Sequence, residues 1–266
     1  MFKQACKSKE IALRVRHDDP TREVLGPDGG IAKQKPVLFA DEALRLLTCE
    51  AVPVTRRRIY AVAIYLAARS NEIAALTAAD FDLTHQTVTI ARQRDRKTDL
   101  DKKTKTKRAR TTDIEPAILA LVTHLCAERP SGRLFDGEMP TDEERATQLR
   151  ADLRTACVLR RELHTEGDPT RLPCWFHHLR DTGLTWMAIR GDDPLRIQWR
   201  GGHTDFKMTQ RYIAEGRMLA AGAGFRIVPA FPEIPPCILP RQGDGTSENQ
   251  RQTVASPTGF EPVLAA

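Results

Sequence analysis

At 266 residues, 41% hydrophobic and 29% charged, the chain has room for one good-sized domain or a domain with a small appendage. No apolar run approaches the roughly 18 to 20 residues that cross a bilayer. The opening "MFKQACKSKEIALRVRH" is too polar for a secretory leader, so the expectation is a cytoplasmic protein. Six cysteines, none in C-x-x-C spacing, read as reduced thiols and argue against a zinc site.

The net charge is +6 with a pI of about 9.1, and its distribution says more than its size. Residues 92–110, "RQRDRKTDLDKKTKTKRAR", hold ten Lys or Arg against three Asp, a local +7 that leaves the remainder at −1. Such a segment is either an electrostatic footprint for a polyanion or a solvated charge run.

In chain order, residues 1–37 are rich in Gly, Pro and charge and read as a linker. "FADEALRLLTCEAV" predicts a helix capped by Asp41, with Ala43, Leu44, Leu46 and Leu47 on its apolar face. "TRRRIYAVAIYLAA" is apolar enough for a central core helix, and "SNEIAALTAADFD" predicts a short helix and turn capped by Ser70. "QTVTIARQ" and "RARTTDIEP" are strand candidates joined by the basic stretch, which predicts a hairpin or small sheet. "PAILALVTHLCAER" is helical with Pro116 near its first turn, and residues 141–164 predict one amphipathic helix. "WFHHLRDTGLTWMAIRG" predicts a helix ended by Gly191, and "DDPLRIQWRGG" one opened by Asp193 and Pro194. A further helix follows in "DFKMTQRYIAE". Residues 227–266 hold many prolines and no periodicity, which predicts a disordered tail. The sum is a mostly helical α+β architecture with one small antiparallel sheet at its edge.

Residues 176–212 gather His177, Arg180, His203 and Tyr212. At i and i+3, His177 and Arg180 share one helix face. Arginine forks and imidazoles donate to phosphate oxygens, and a tyrosine becomes a nucleophile when its oxygen is aimed at phosphorus and the growing charge is stabilised.

This block, H-x-x-R, then G-H, then tyrosine nine residues after that histidine, resembles the C-terminal signature of the tyrosine recombinases, or phage integrases. It comprises His177, Arg180, Gly202, His203 and Tyr212. "LAARSNEIAALTAADFD" resembles the family's first arginine segment, with Arg69 and the acid Glu72, and "KTKRARTTDI" resembles its lysine hairpin, with Lys105 and, later, Arg110. The resemblance runs from Pro36 to Arg226. Two departures stand out. Ala67 occupies the place of a usual glycine, and Asp181 follows Arg180, open to pairing with a neighbouring arginine.

The resemblance implies a helical bundle with a small edge sheet, and a catalytic domain over residues 38–226. It also implies that residues 1–37 are a linker or the remnant of a core-binding domain. Tyr212 would attack a DNA phosphodiester, Arg69 and Arg180 would clamp its non-bridging oxygens, and His177 and His203 would move protons. Lys105 would protonate the leaving oxygen, with Lys97, Lys102 and Lys103 as competitors for that role. Arg92, Arg94, Lys103, Lys107 and Arg110 would bind the DNA backbone. No metal or cofactor is required. The implied partner is double-stranded DNA, with a monomer in free solution, a homo-tetramer on DNA, and no membrane. A DNA-binding fragment that no longer cuts is the alternative. A metal hydrolase using His164, His177, His178 and His203 is a further rival. In the tail, Gly259 to Pro262 spell what a transfer-RNA T-arm reads as in one frame, which would mark an attachment site.

Overall fold

The computed structural model describes residues 33–95, 98, 100–103, 109–135, 139, 141–223, 231–234 and 236–239. Among these, helices dominate. They are α1 (Ala40–Thr48), α2 (Val54–Tyr65), α3 (Ser70–Ile73), α4 (Leu119–Glu128), α5 (Asp142–Thr155), α6 (Arg161–His164), α7 (His177–Arg190), α8 (Pro194–Gly201) and α9 (Phe206–Ala223). No helix among the described residues is long and apolar enough to cross a membrane.

Two buried helices form the centre. From Ile59 to Tyr65 every residue of α2 is buried, and so is every residue of α7 from His178 to Met187. A helix buried on all sides belongs inside a bundle. Gly183 of α7 lets the two approach, because a Cβ there would lie 2.0 Å from the Ile64 carbonyl oxygen. Trp186 closes the same interface, donating its indole N–H to the Leu38 carbonyl at 3.0 Å.

The β structure falls into two small antiparallel sheets. Strands β1 (Phe81–Asp82), β2 (Thr87–Ile90) and β5 (Arg110–Asp113) form one in the order β1-β2-β5, with Val88 opposite Thr112 and Ile90 opposite Arg110. Strands β3 (Arg92–Asp95) and β4 (Leu100–Lys103) form the second, a hairpin arm built from the basic segment. Alternation at Val88 and Ile90 buries one face of β2 against the helices.

Several helix boundaries differ from the sequence expectation. Helix α1 starts two residues earlier than an Asp41 cap would set it. Phe39 is its N-cap, and the Phe39 N–H donates to the buried Glu42 carboxylate at 2.9 Å. Likewise Arg69, not Ser70, caps α3, its N–H donating to Glu72 at 2.8 Å. In both cases a glutamate at the third helical position does the capping that a side chain at the first was expected to do.

The stretch 141–164 breaks into α5 and α6. Thr141 caps α5 as a hydroxyl acceptor for the Glu144 N–H. At the other end Cys157 takes a left-handed φ of 57°, Val158 N–H returns to Leu153 O at 2.8 Å, and Cys157 N–H reaches Arg154 O at 2.9 Å. This is a Schellman stop with the buried Val158 as its apolar anchor, made without the glycine that would have announced it.

The chain ends also differ. Val37, inside the expected linker, and Leu38, just after it, are buried, and Gln34, also in that linker, exchanges backbone hydrogen bonds with Thr170 and Leu172. In the expected tail, Phe231, Ile234 and Ile238 join the core. Phe231 meets Tyr65 and Trp186 edge-on at 5.6 and 5.5 Å, with the Arg190 guanidinium over its ring. The prolines that suppress periodicity here leave an irregular strap that still buries three large side chains. Residues 240–266, including Gly259 to Pro262, lie outside the described residues.

Candidate active site

Four elements converge at one end of the α2–α7 core. Arg69 sits at the α2-to-α3 corner, Arg110 opens β5, Arg180 lies on α7, and His203 follows α8. Glu72 organises the first two. It is 1% exposed, takes both Arg110 Nη atoms at 3.0 and 2.7 Å, and takes Arg69 Nη1 at 2.9 Å. Burial pushes its carboxyl up, yet Arg110's hydrogen bonds and charge, with Arg180 and Arg69 nearby, hold it down at about 2. Glu72 is therefore an anion at any ordinary pH.

Arg180 is buried. Its guanidinium donates to the carbonyls of Ala67 and Gly201 and lies 3.4 Å from His203 Nε2. Burial and the neighbouring Arg69 draw its pKa down to about 10, so it stays charged at neutral pH. Ala67 supplies its carbonyl from a left-handed backbone, φ 48°, the conformation for which the resembling pattern carries glycine. It places about 1–2 kcal/mol of backbone strain beside the site.

Gly202 turns the chain out of α8 at φ 57°, and His203 N–H is tied back to Gln198 O at 3.1 Å. A Cβ at Gly202 would lie 3.2 Å from Arg110 Nη1, so this glycine serves both the turn and the close packing of the guanidinium. His203 Nδ1 lies 3.0 Å from the Thr209 hydroxyl. Burial, then Arg180 and Arg69, hold its pKa at about 4, so the imidazole is neutral near pH 7. A cavity of about 310 Å³ opens beside Arg110, Gly202 and His203.

Tyr212, on α9, stacks its ring on His203, with centroids 5.5 Å apart and planes 6° from parallel. It is 7% exposed, and its hydroxyl donates a short hydrogen bond to Asp181 Oδ1. Burial and the Asp181 charge raise its pKa well above the usual phenol value. Asp181 is itself 1% exposed, and its Oδ2 receives Lys35 Nζ at 3.2 Å. His177 Nε2 lies 3.8 Å from Oδ1. Burial pushes the Asp181 carboxyl up, but His177, Lys35 and the Tyr212 hydroxyl leave it below its ordinary value. The arginine partner expected for Asp181 is thus replaced by a tyrosine, a lysine and a histidine.

The structure therefore gathers Arg69, His177, Arg180, His203 and Tyr212. It places Arg110 differently from the surface role expected of it: the side chain is buried, forked onto Glu72, with Nε donating to Arg200 O at 3.0 Å. Arg92 reaches back from β3 to Asp80 and Thr77, and Arg94 is half-buried in the same strand. Lys105 and Lys107 lie outside the described residues, as does the Lys103 side chain. The histidines of the metal-hydrolase rival are dispersed in role. His164 Nε2 sits 2.8 Å from Val158 O, and His178 Nδ1 accepts the Trp175 N–H at 3.0 Å. Sequence reading missed Lys35, hidden in an apparent linker, and Thr209. The signal for Asp181 was present, since it stands four residues after His177 and one after Arg180.

The sequence profile of the phage integrase family matches residues 36–217, most of the chain and every gathered residue. The chain belongs to the phage integrase family. Its structure is similar to that of the Tn1549 transposon integrase in complex with circular intermediate DNA. The TM-score is 0.57 at 18% identity, over 83% of this chain and 76% of that one. It is similar also to the same integrase in complex with transposon right end DNA, with a TM-score of 0.54 at 18% identity, over 74% of this chain and 68% of that one. At such identities the likeness establishes the shared fold, the catalytic-domain fold of the tyrosine recombinases. No curated protein matches this integrase-family chain in sequence.

Proposed function

We propose that this chain cleaves and rejoins DNA at specific sites through a transient phosphotyrosine link at Tyr212, and that residues 38–226 form its catalytic domain. The observation that carries the reading is the stack of Tyr212 on His203, which lies 3.4 Å from the buried Arg180 guanidinium. This puts a nucleophile, a proton carrier and a cation within one site. Arg69 and Arg180 hold the phosphate's non-bridging oxygens, His203 and His177 position or move protons, and Lys105 of the basic segment protonates the leaving 5′ oxygen. Arg92, Arg94, Lys103 and Lys107 follow the DNA backbone. The Tn1549 integrase structures, which hold transposon and circular intermediate DNA, support DNA as the partner. We further propose a monomer in free solution and a tetramer on DNA.

The test is covalent trapping on a half-site carrying a suicide nick. The parent chain yields an SDS-resistant, protease-sensitive adduct, and Tyr212→Phe binds the same DNA without forming one. An adduct that persists in Tyr212→Phe means that the nucleophile is another residue.

A further inference from the structure

Asp181 is a charged group in direct contact with the Tyr212 oxygen. Its Oδ1 accepts a hydrogen bond from the Tyr212 hydroxyl, and it is 1% exposed. An unpaired carboxylate in such a place would cost several kcal/mol. Here Lys35 Nζ holds Oδ2 at 3.2 Å, and His177 Nε2 approaches Oδ1 at 3.8 Å. Other titratable groups acting on it are His178 from α7, His203 after α8, Glu215 from α9, and the buried Cys174. The carboxylate is thus pre-charged, fixed and aimed at one atom, the arrangement that general-base catalysis requires. Among the described residues its ion-pair partners are a lysine and a histidine rather than the arginine its sequence position suggested.

Resting on the strand-cleavage reading above, we propose that Asp181 is a catalytic residue that takes the proton from Tyr212 during attack on phosphorus. In the step, the Tyr212 Oη–H bond breaks and the proton passes to Asp181 Oδ1 while Oη forms its bond to phosphorus. The phosphorus–O5′ bond breaks, and the 5′ oxygen takes a proton from the general acid proposed above. Rejoining runs the same transfers backward, with Asp181 returning the proton to Oη. A carboxylate is a weak base toward a resting phenol. The transfer therefore accompanies attack, because the phenolic proton becomes far more acidic as the oxygen bonds to phosphorus.

The experiment measures single-turnover adduct formation by the full 266-residue chain on the nicked half-site, at DNA concentrations that saturate binding. Asp181→Asn keeps an oxygen that accepts the Tyr212 hydrogen bond but cannot take the proton. Its expected cleavage rate is about 100-fold or more below the parent near pH 7, with unchanged DNA affinity. The rate should climb with pH as solvent hydroxide substitutes for the base, and installing a fluorotyrosine of lower pKa at position 212 should recover part of the loss. As a second variant, Asp181→Ala leaves room for an external carboxylate, and added formate should accelerate it. An Asp181→Asn rate within threefold of the parent, or above it, overturns the proposal and makes the contact a latch that restrains the nucleophile. A formate-independent Asp181→Ala rate counts against it equally. The two levels separate cleanly. No adduct with the parent chain sinks strand cleavage and this inference together, whereas undiminished adduct with Asp181→Asn sinks the inference alone.

Discussion

Replacing Glu72 by glutamine tests whether the cluster of guanidiniums is held together by one buried anion. Glu72 takes three guanidinium bonds, two from Arg110 and one from Arg69, and a fourth from the Arg69 backbone N–H. Glutamine keeps the shape and the backbone bond. Its amide nitrogen, however, faces an arginine donor, and the charge that offsets Arg69, Arg110 and Arg180 is gone. The shift of the Glu72 carboxyl from 4.5 to about 2 corresponds to ~3 kcal/mol of folding free energy at neutral pH. Breaking a buried ion pair by removing one partner costs about 3–5 kcal/mol, which agrees. For a domain of this size that is a fall in melting temperature of roughly 6–12 °C. The sign with pH follows from a depressed carboxyl. Its contribution is complete above about pH 4.5 and is lost as pH falls through about 2. Thermal or urea unfolding of parent and Glu72→Gln should therefore show a constant gap from pH 7 to about 5 that narrows at lower pH. A gap under about 1 kcal/mol at pH 7, or one indifferent to acid, would refute the view that this carboxylate is the electrostatic keystone.

Two backbone substitutions probe how the site is mounted. Ala67→Gly relieves the left-handed residue at φ 48° and should raise stability by about 0.5–1 kcal/mol after the greater freedom of glycine in the unfolded chain is counted. A loss of stability on chemical denaturation would show that Ala67 is unstrained. Gly183→Ala drives a methyl to within 2.0 Å of the Ile64 carbonyl, so α2 and α7 must part. A loss of about 3 kcal/mol or more is expected, and a neutral melting curve would mean that the helices lie farther apart than described.

Much of this organisation was legible because local chemistry and tertiary packing agreed. Asp193 and Pro194 open α8, and Gly191 ends α7 at φ 88°, as their residue types demand. The alternation around Val88 and Ile90 is the buried face of β2. Spacing from His177 to Tyr212 placed four site residues because helices α7 and α9 and a glycine turn convert that spacing directly into proximity. What was not legible depended on distant partners. Cys157 adopts a glycine-like turn because Val158 is captured by the core. Phe231 and Ile238 sit among prolines that look disordered, and only the cleft bounded by Tyr65, Trp186 and Arg190 reveals where Phe231 goes. Arg110 belongs by sequence to a run of exposed basic residues. Its position opposite Ile90 at the inner end of β5 turns it toward Glu72 instead. Lys35 escaped notice because its partner, Asp181, is 146 residues away.

The charge arrangement explains why these residues are costly to assemble and why the cost suits the proposed chemistry. Three guanidiniums share one carboxylate at Glu72, so the pocket carries an excess of positive charge with little water to screen it. The strain shows in the groups that can respond: Arg180 is drawn to about 10 and His203 to about 4, each by burial first and by neighbouring arginines next. In the resting site His203 is therefore neutral. Its Nε2 faces an Arg180 N–H donor, which leaves the ring proton on Nδ1 to be donated to Thr209. An anion placed between Arg69, Arg180 and His203 opposes the electrostatic part of both shifts. By linkage, it binds most tightly to the protonated imidazole. On the proposed reading, a DNA phosphate brings with it the charge state that lets His203 donate a proton. Asp181 accepts the Tyr212 hydroxyl and is kept anionic by His177 and Lys35. On the proposed reading, Tyr212 thus has beside it one group that gains a proton when substrate arrives and another that is charged before it does, the order of events that a nucleophile needs.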